Sequence, residues 1–199
     1  DIPTLYAKLG NITQGVSIDT RTITSGVIFF GIKGENTDGN IFAKDALEKG
    51  ASYAIVDNPA YAIDERIIPV ENTLHTLQML AAYKRRLMNY PVLVIGGSNG
   101  KTTTKELVIT VLKKKYRTYG TAGNLNNNIG VPLTLLQLPV DTEFAVVEIG
   151  ANHPGEHIAL MEIVQPDFAL VTNHGADHLE GFGSLEGVRR ANKEIFDES

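Results

Sequence analysis

The chain has 199 residues, room for one large domain or two small ones at about 100 to 200 residues each. Its 43% apolar and 21% charged content is that of a globular protein, not of a disordered, collagenous or coiled-coil one. Lys and Arg number 18 against 23 Asp and Glu, a net charge of -5, which argues against a nucleic-acid partner. Without any Cys, disulfide frameworks, thiolate zinc sites and cysteine nucleophiles are all excluded, and a reducing, cytoplasmic setting is expected.

The longest uncharged stretch, 118–140, carries four Asn, three Gly and two Pro, a composition that no bilayer-spanning helix tolerates. A soluble protein with no membrane partner is expected. The chain starts at Asp1 without a charged and apolar leader and stops at Ser199 within a helical pattern, so it reads as a piece of a longer protein.

In chain order, short β-rich runs at 27–32, 53–56 and 67–70 alternate with one helix at 41–49, which Gly50 closes. A longer helix follows from 73 to about 89, with Leu74, Leu77, Leu80 or Ala81, Lys84 and Leu87 on one side. Asn72 is its N-cap and Tyr90-Pro91 its end. Beyond it strands at 92–95, 116–120, 144–149 and 168–171 alternate with helices at 102–115, 132–138, 156–164 and from 185 onward. Apolar strands separated by helices predict a parallel sheet covered on both faces. The fold class is therefore α/β, with a small first domain at 1–72 and a second at 73–199, the boundary falling within 72–91. Ligands of such sheets gather beyond the carboxyl ends of the strands.

The first of those ends is the loop Gly96-Gly97-Ser98-Asn99-Gly100-Lys101-Thr102-Thr103, between an apolar strand and a helix. Glycines let backbone N–H groups approach an anion, and the helix start adds partial positive charge. Lys101 reaches outer phosphates, and the Thr102 hydroxyl suits Mg²⁺. Ile95 stands where the usual phosphate loop has its first Gly, so this is a shortened G-x-x-G-K-T form. The competing reading is a Gly-rich turn with a surface Lys.

Phosphoryl transfer needs a second metal anchor, and Glu148 ends the apolar run 144–148. A helix-capping or salt-bridged Glu is the alternative. His153 and His157, like His174 and His178, are four residues apart. Pro154 and Gly155 break the first pair and Gly175 the second, so neither is a zinc pair. Asn173 and Gly175 also stand where an H-x-H-x-D-H hydrolase signature requires His. His178 remains, as a ligand to a second hard metal, an orienter of phosphate, or a structural residue. His75 is expected to be exposed, and Lys113 to Lys115 to form a solvated helix end. The Asn-rich loop 121–132 offers paired donors and acceptors to a polar substrate, or is simply a long turn.

Four ordered strings, 97–104, GNLNNNIGVPLTLL at 123–136, EIGANHPGE at 148–156 and NHGADHLEGFGS at 173–184, resemble the Mur ligases of peptidoglycan synthesis. The segments 17–21, 26–30, 33–36, 38–40 and Phe42 are similar to the UDP-binding first domain of that family, so nearly the whole chain is covered. The resemblance implies an ATP-dependent amide ligase: a UDP-binding domain, then an incomplete P-loop NTPase-type central domain. Its substrates would be UDP-N-acetylmuramoyl-tripeptide and D-Ala-D-Ala, joined through an acyl phosphate, in a whole protein that is a monomer. On its own this chain is expected to bind ligands without completing ligation.

By the same resemblance Gly97, Ser98, Asn99, Gly100, Lys101, Thr102 and Thr103 hold ATP. Thr102 and Glu148 hold one Mg²⁺ and His178 a second, so Lys101, Glu148 and His178 form the catalytic set. Asn126, Asn127, Asn152 and His153 lie near substrate, and Ser17, Asp19, Arg21, Lys33, Asn36 and Asn40 face the UDP part. Two departures stand out: many relatives have His in place of Asn40, and Asn192 stands where the family carries a carbamylated Lys, with Lys193 one residue later and about 100° around the helix. Another amino-acid-adding member of the superfamily, a non-catalytic nucleotide- or UDP-sugar-binding homologue and a simple P-loop kinase are the rivals.

Overall fold

The computed structural model describes residues 1–12, 14–34, 36–175 and 179–197. The chain divides into two compact units, Asp1–Tyr83 and Lys84–Ser199. Among the described residues no helix is long and apolar enough to cross a membrane.

In the first unit helix α1 (Ile2–Lys8) is capped by Asp1, whose carboxylate accepts from Thr4 N at 2.8 Å. Strands β1 (Val16–Ser17), β2 (Ile28–Phe30), β3 (Tyr53–Val56) and β4 (Ile67–Pro69) form one wholly parallel sheet in chain order. Helix α2 (Ala43–Glu48) follows a 3₁₀ turn at Gly39–Phe42 and stops where Gly50 takes a φ of 108°. Its Ala43, Ala46 and Leu47 bury against Phe29, Ala54, Val56 and Ile67 on one face of the sheet. Ile28, Phe30 and Ile55, which point the other way by the strand alternation, are equally buried.

The β-rich run 27–32 is trimmed to Ile28–Phe30 because the chain turns at once. Ile32 N donates back to Phe30 O, and Lys33 bridges antiparallel to Asp38. The sequence pattern also left α1 and the two-residue β1 unassigned.

Helix α3 (Thr73–Leu87) starts where Asn72 Oδ1 accepts from His75 N at 2.7 Å. Its buried face is Thr73, Thr76, Leu77, Leu80 and Ala81, while Leu87 is 58% exposed. The stripe is rotated from the expected one because two Thr residues are buried through hydrogen bonds, Thr73 to Asp57 and Gly31 and Thr76 to Asn72 O, which hydropathy does not reveal. The division between the units falls inside this helix, within the 72–91 range read from the sequence.

The second unit alternates β5 (Val92–Gly96), α4 (Lys101–Leu112), β6 (Thr118–Gly120), α5 (Gly130–Gln137), β7 (Phe144–Glu148), α6 (Glu156–Val164), β8 (Phe168–Val171), α7 (Leu179–Phe182) and α8 (Leu185–Asp197). The sheet is again wholly parallel, in the order β6-β7-β5-β8. Central β5 and β7 are almost entirely buried, and edge strand β8 begins at an exposed Phe168. Helix α4 packs Ile109 on Ile95 and Val146. It ends three residues before the expected limit, which leaves Lys113 to Lys115 exposed in a turn.

Two basic side chains late in α3 anchor this unit. Lys84 Nζ donates to Leu136 O at 2.8 Å and Leu138 O at 3.0 Å, at the carboxyl end of α5. Arg85 donates to Val164 O, Gln165 O and Asp167 Oδ2 at 2.7 to 2.9 Å, at the end of α6. Both cations satisfy helix-terminal carbonyls and sit at the negative end of a helix dipole.

Candidate nucleotide site and a second polar edge

Loop 97–100 leaves the carboxyl end of β5, and Gly100, with a φ of 79°, is the N-cap of α4. At Gly97, with a φ of 117°, a Cβ would meet Thr172 Oγ1 and the Thr172 backbone N, so only glycine lets the end of β8 come this close. That approach is used: Ser98 N donates to Asn173 O and Asn99 N to Asn173 Oδ1, both at 3.1 Å, while Thr172 Oγ1 donates to Asn99 O at 2.7 Å. Two loop amides are therefore occupied by Asn173. Thr104 makes the first intrahelical bond, to Gly100 O, so the amides of Lys101, Thr102 and Thr103 have no acceptor within the helix and form an anion-binding start. Lys101 Nζ folds over the loop onto Gly97 O at 2.7 Å and Ser98 O at 2.9 Å, and Thr103 is exposed beside it.

The β5–β7 register pairs Ile95 with Glu148, bringing that carboxylate to the same edge. Glu148 is 1% exposed. Its Oε1 accepts from Thr102 Oγ1 at 3.2 Å and Asn126 Nδ2 at 2.8 Å, while Oε2 is buried with no hydrogen-bond partner among the described residues. The side chain is also an ion-pair partner, since Lys105 Nζ lies 3.6 Å from Oε2. The Glu148 carboxylate, with Oε1 beside the Thr102 hydroxyl and Oε2 without a hydrogen-bond partner, is with that hydroxyl a hard oxygen donor set that fits Mg²⁺. His178 lies outside the described residues.

Lys105 is the residue that sequence reasoning missed. It is wholly buried and also donates to Thr121 O at 2.8 Å and Gly123 O at 2.9 Å. Its spacing, four residues after Lys101 and one turn on along the same helix, does not mark it, because the partners that bury it are distant in sequence.

A cavity of about 200 Å³ opens at this edge, and Gly97, Ser98, Lys101, Asn126, Asn127 and Asn152 of the expected set line it. Asn127 Oδ1 also accepts from Gly130 N, the first residue of α5, at 2.8 Å. His153 is exposed and turned to Glu156, at 3.4 Å. Burial works against the Glu156 carboxylate, but the amides of Asn152 and His153 outweigh it and lower its pKa.

Asn124, Gly150, Ala151, Phe182, Val188 and Asn192 complete the wall. The register of α8 settles the Asn192 question in geometry: Asn192 is 3% exposed and donates from Nδ2 to His174 Nδ1 at 3.2 Å, whereas Lys193 faces solvent. His157 is buried with Nδ1 2.9 Å from Ala191 O, and burial pushes its pKa down, so it shares no ligand position with exposed His153.

In the first unit the expected residues also follow strand ends. Ser17 Oγ lies 2.8 Å from Thr22 Oγ1, just ahead of the turn in which Arg21 clasps Asp19 with both guanidinium and backbone, holding that carboxyl at about 2. Lys33 and Asn36 are exposed in the loop after β2. Asn40 is different, being wholly buried. Its Nδ2 donates to Asp38 and Asp57 and its Oδ1 accepts from Asp57 N, so it pins the scaffold from inside and presents no open amide. Burial works against Asp57, and hydrogen bonds from Asn40 and Thr73 outweigh it and lower its pKa.

A parallel α/β sheet with a glycine loop, Lys and Thr at one strand end and an acid at the next defines a P-loop-type domain. The Mur ligase middle-domain model matches residues 95–199, and that described as the Mur ligase family catalytic domain matches 13–85. The chain belongs to the Mur ligase family. It is 44% identical to UDP-N-acetylmuramoyl-tripeptide--D-alanyl-D-alanine ligase of Escherichia coli over 92% of its length and 40% of the relative's, and 40% identical to the Bacillus subtilis enzyme of that name over 92% and 41%. Among solved structures it superposes on MurF of Thermotoga maritima in complex with ADP with a TM-score of 0.85 at 34% identity, covering 94% of this chain and 44% of that one. For MurF of Acinetobacter baumannii the values are 0.84, 37%, 96% and 46%. The chain thus spans about two fifths of the length of the curated relatives.

Proposed function

We propose that this chain is the nucleotide- and UDP-sugar-binding portion of a cytoplasmic, ATP-dependent ligase that joins D-Ala-D-Ala to UDP-N-acetylmuramoyl-tripeptide. The observation that carries the reading is the convergence of Lys101, Thr102 and the unsatisfied Glu148 Oε2 on one strand edge, together with relatives that bear that enzyme name.

On this reading the amides of Lys101 to Thr103 and the Lys101 ammonium hold the ATP phosphates and stabilise the charge of the transferring phosphoryl group. Thr102 and Glu148 hold Mg²⁺, which supplies neutralisation of phosphate charge. The γ-phosphoryl group passes to the terminal carboxylate of the tripeptide, leaving ADP. The D-Ala-D-Ala amine then attacks the acyl phosphate, forming the amide, releasing phosphate and giving up a proton. Asn126, Asn127 and Asn152 orient the peptide end. Ser17, Asp19, Arg21, Lys33 and Asn36 line the uridine diphosphate edge in the first unit.

Titration of a fluorescent ATP analogue with Mg²⁺ tests the site. Lys101→Ala is expected to weaken binding about a hundredfold, the worth of a charge-assisted contact to phosphate. An unchanged affinity sinks the assignment. For the whole protein, phosphate release that requires both UDP-N-acetylmuramoyl-tripeptide and D-Ala-D-Ala is expected, and release on adding a different amino acid alone would point to another member of the family.

A further inference from the structure

Lys105 is not used by the chemistry above, yet it is the most deeply fixed charge at the site. Its Nζ is held by Thr121 O and Gly123 O, so it is a stationary point charge behind Glu148 Oε2 and not a mobile surface amine. Glu106, 3.2 Å away, stands on the rim with its side chain 62% exposed, where solvent screens it.

We propose that Lys105 is a positioning residue that makes cation binding at Thr102 and Glu148 conditional on the nucleotide. The inference rests on the nucleotide-and-Mg²⁺ reading of this edge. The edge holds two ammonium groups, half-buried Lys101 on the loop carbonyls and buried Lys105 3.6 Å from Glu148 Oε2, against one buried carboxylate, Glu148; with Glu106 out on the solvent-screened rim, the interior of the site carries one positive charge in excess. A lone divalent cation is repelled by such a site, while a polyphosphate is attracted and supplies the missing negative charge. The cation therefore enters with the nucleotide and not ahead of it, and the orphaned Oε2 is kept ready without being filled prematurely. Lys105 also joins three segments, α4, the start of the Asn loop at 121–123 and the end of β7, so the carboxylate and Asn126 hold station relative to the phosphate loop.

Direct Mn²⁺ binding to the 199-residue chain, followed by electron paramagnetic resonance with and without ATP, separates this from a purely structural role. The wild type is expected to bind Mn²⁺ weakly alone and at least about thirtyfold more tightly with ATP, as coupling of electrostatic origin allows. Lys105→Gln keeps two N–H donors for the Thr121 and Gly123 carbonyls and removes the charge, and Lys105→Met removes both. With Lys105→Gln, Mn²⁺ alone is expected to bind about tenfold more tightly and the ATP coupling to shrink to match. Lys105→Met shows the same change on a less stable fold.

Mn²⁺ affinity within twofold of wild type in Lys105→Gln overturns the proposal. So does a wild type that binds Mn²⁺ equally well with and without ATP, a measurement that needs no variant. A wild type that binds neither ATP nor Mn²⁺ overturns the underlying reading of the site and the inference with it.

Discussion

In the first sheet the strands follow chain order, β1-β2-β3-β4, whereas in the second β5 lies between β7 and β8, both of which come later in the chain. A sheet in chain order has no point at which its connections diverge. The second has one at β5, where loops leaving adjacent strand ends run to opposite sides and leave a crevice. Buried polarity follows the same division among the described residues: the first unit buries neutral groups, Ser17, Asn40, Thr73 and Thr76, while Arg85, Lys105 and Glu148 are buried in the second. The first unit's ion pairs, such as Arg21 with Asp19, are largely exposed. Burying charge costs desolvation and is tolerated only with close partners; Arg85 finds them in helix-terminal carbonyls and Asp167, whereas Lys105 and Glu148 pair at the crevice, where buried charge marks a candidate site.

The sharpest way to break this contrast is at the crevice. Gly97→Ala places a methyl against Thr172 Oγ1 and backbone N at a φ that side chains rarely adopt, and the backbone atom cannot swing away. A loss of about 3 kcal/mol in the stability of the second unit is expected, with nucleotide binding abolished. Hydrogen exchange resolved by segment should show faster opening of β5 and α4 and unchanged protection in β2 and β3. Equal loss in both units would mean that they do not hold their stability separately.

The first unit has its own weak point. Asn40→Leu keeps the branched heavy-atom outline but strips a partner from Asp57 N and from each of the Asp38 and Asp57 carboxylates. Both carboxylates are half-buried and regain some water, so a smaller cost of about 2 kcal/mol is expected. The same exchange experiment should find it in 53–57, with ATP-analogue affinity unaltered. A fall in that affinity would refute the separation of neutral scaffold from charged site.

Much of the second unit was legible because β5, β7 and β8 are apolar runs separated by helical segments. The bounds of α6 and β8 match the pattern residue for residue, and the position of Glu148 at the end of its strand was read from the apolar run before it. What escaped detection depends on distant partners. Lys105 reads as a solvated helix lysine until Thr121, Gly123 and Glu148 close around it, and Asn40 reads as a ligand contact until Asp57, seventeen residues on, takes its amide. The Thr-lined face of α3 was hidden for the same reason. Periodicity carries no information about strand order either: a parallel sheet was evident, but not that β5 lies between β7 and β8. The two-residue β1 is too short to have a period at all.

The smallest expected effect lies at the opposite edge of the second sheet, where Lys84 sits among the carbonyls of Leu136 and Leu138. Burial lowers its pKa to about 8 from an ordinary value of 10.5. Between those values the folded protein has released a proton that the unfolded chain still holds, so stability rises with pH across the window and its gain is lost as pH falls through 8. One proton contributes a slope of at most about 1.4 kcal/mol per pH unit, and about 1 kcal/mol is expected between pH 8 and 9. Lys84→Met should abolish that slope in urea unfolding of the second unit while leaving Asn40→Leu effects untouched. A slope that persists in Lys84→Met would place the titrating group elsewhere, and would remove Lys84 from the set of cations that this unit, unlike the first, draws into its interior.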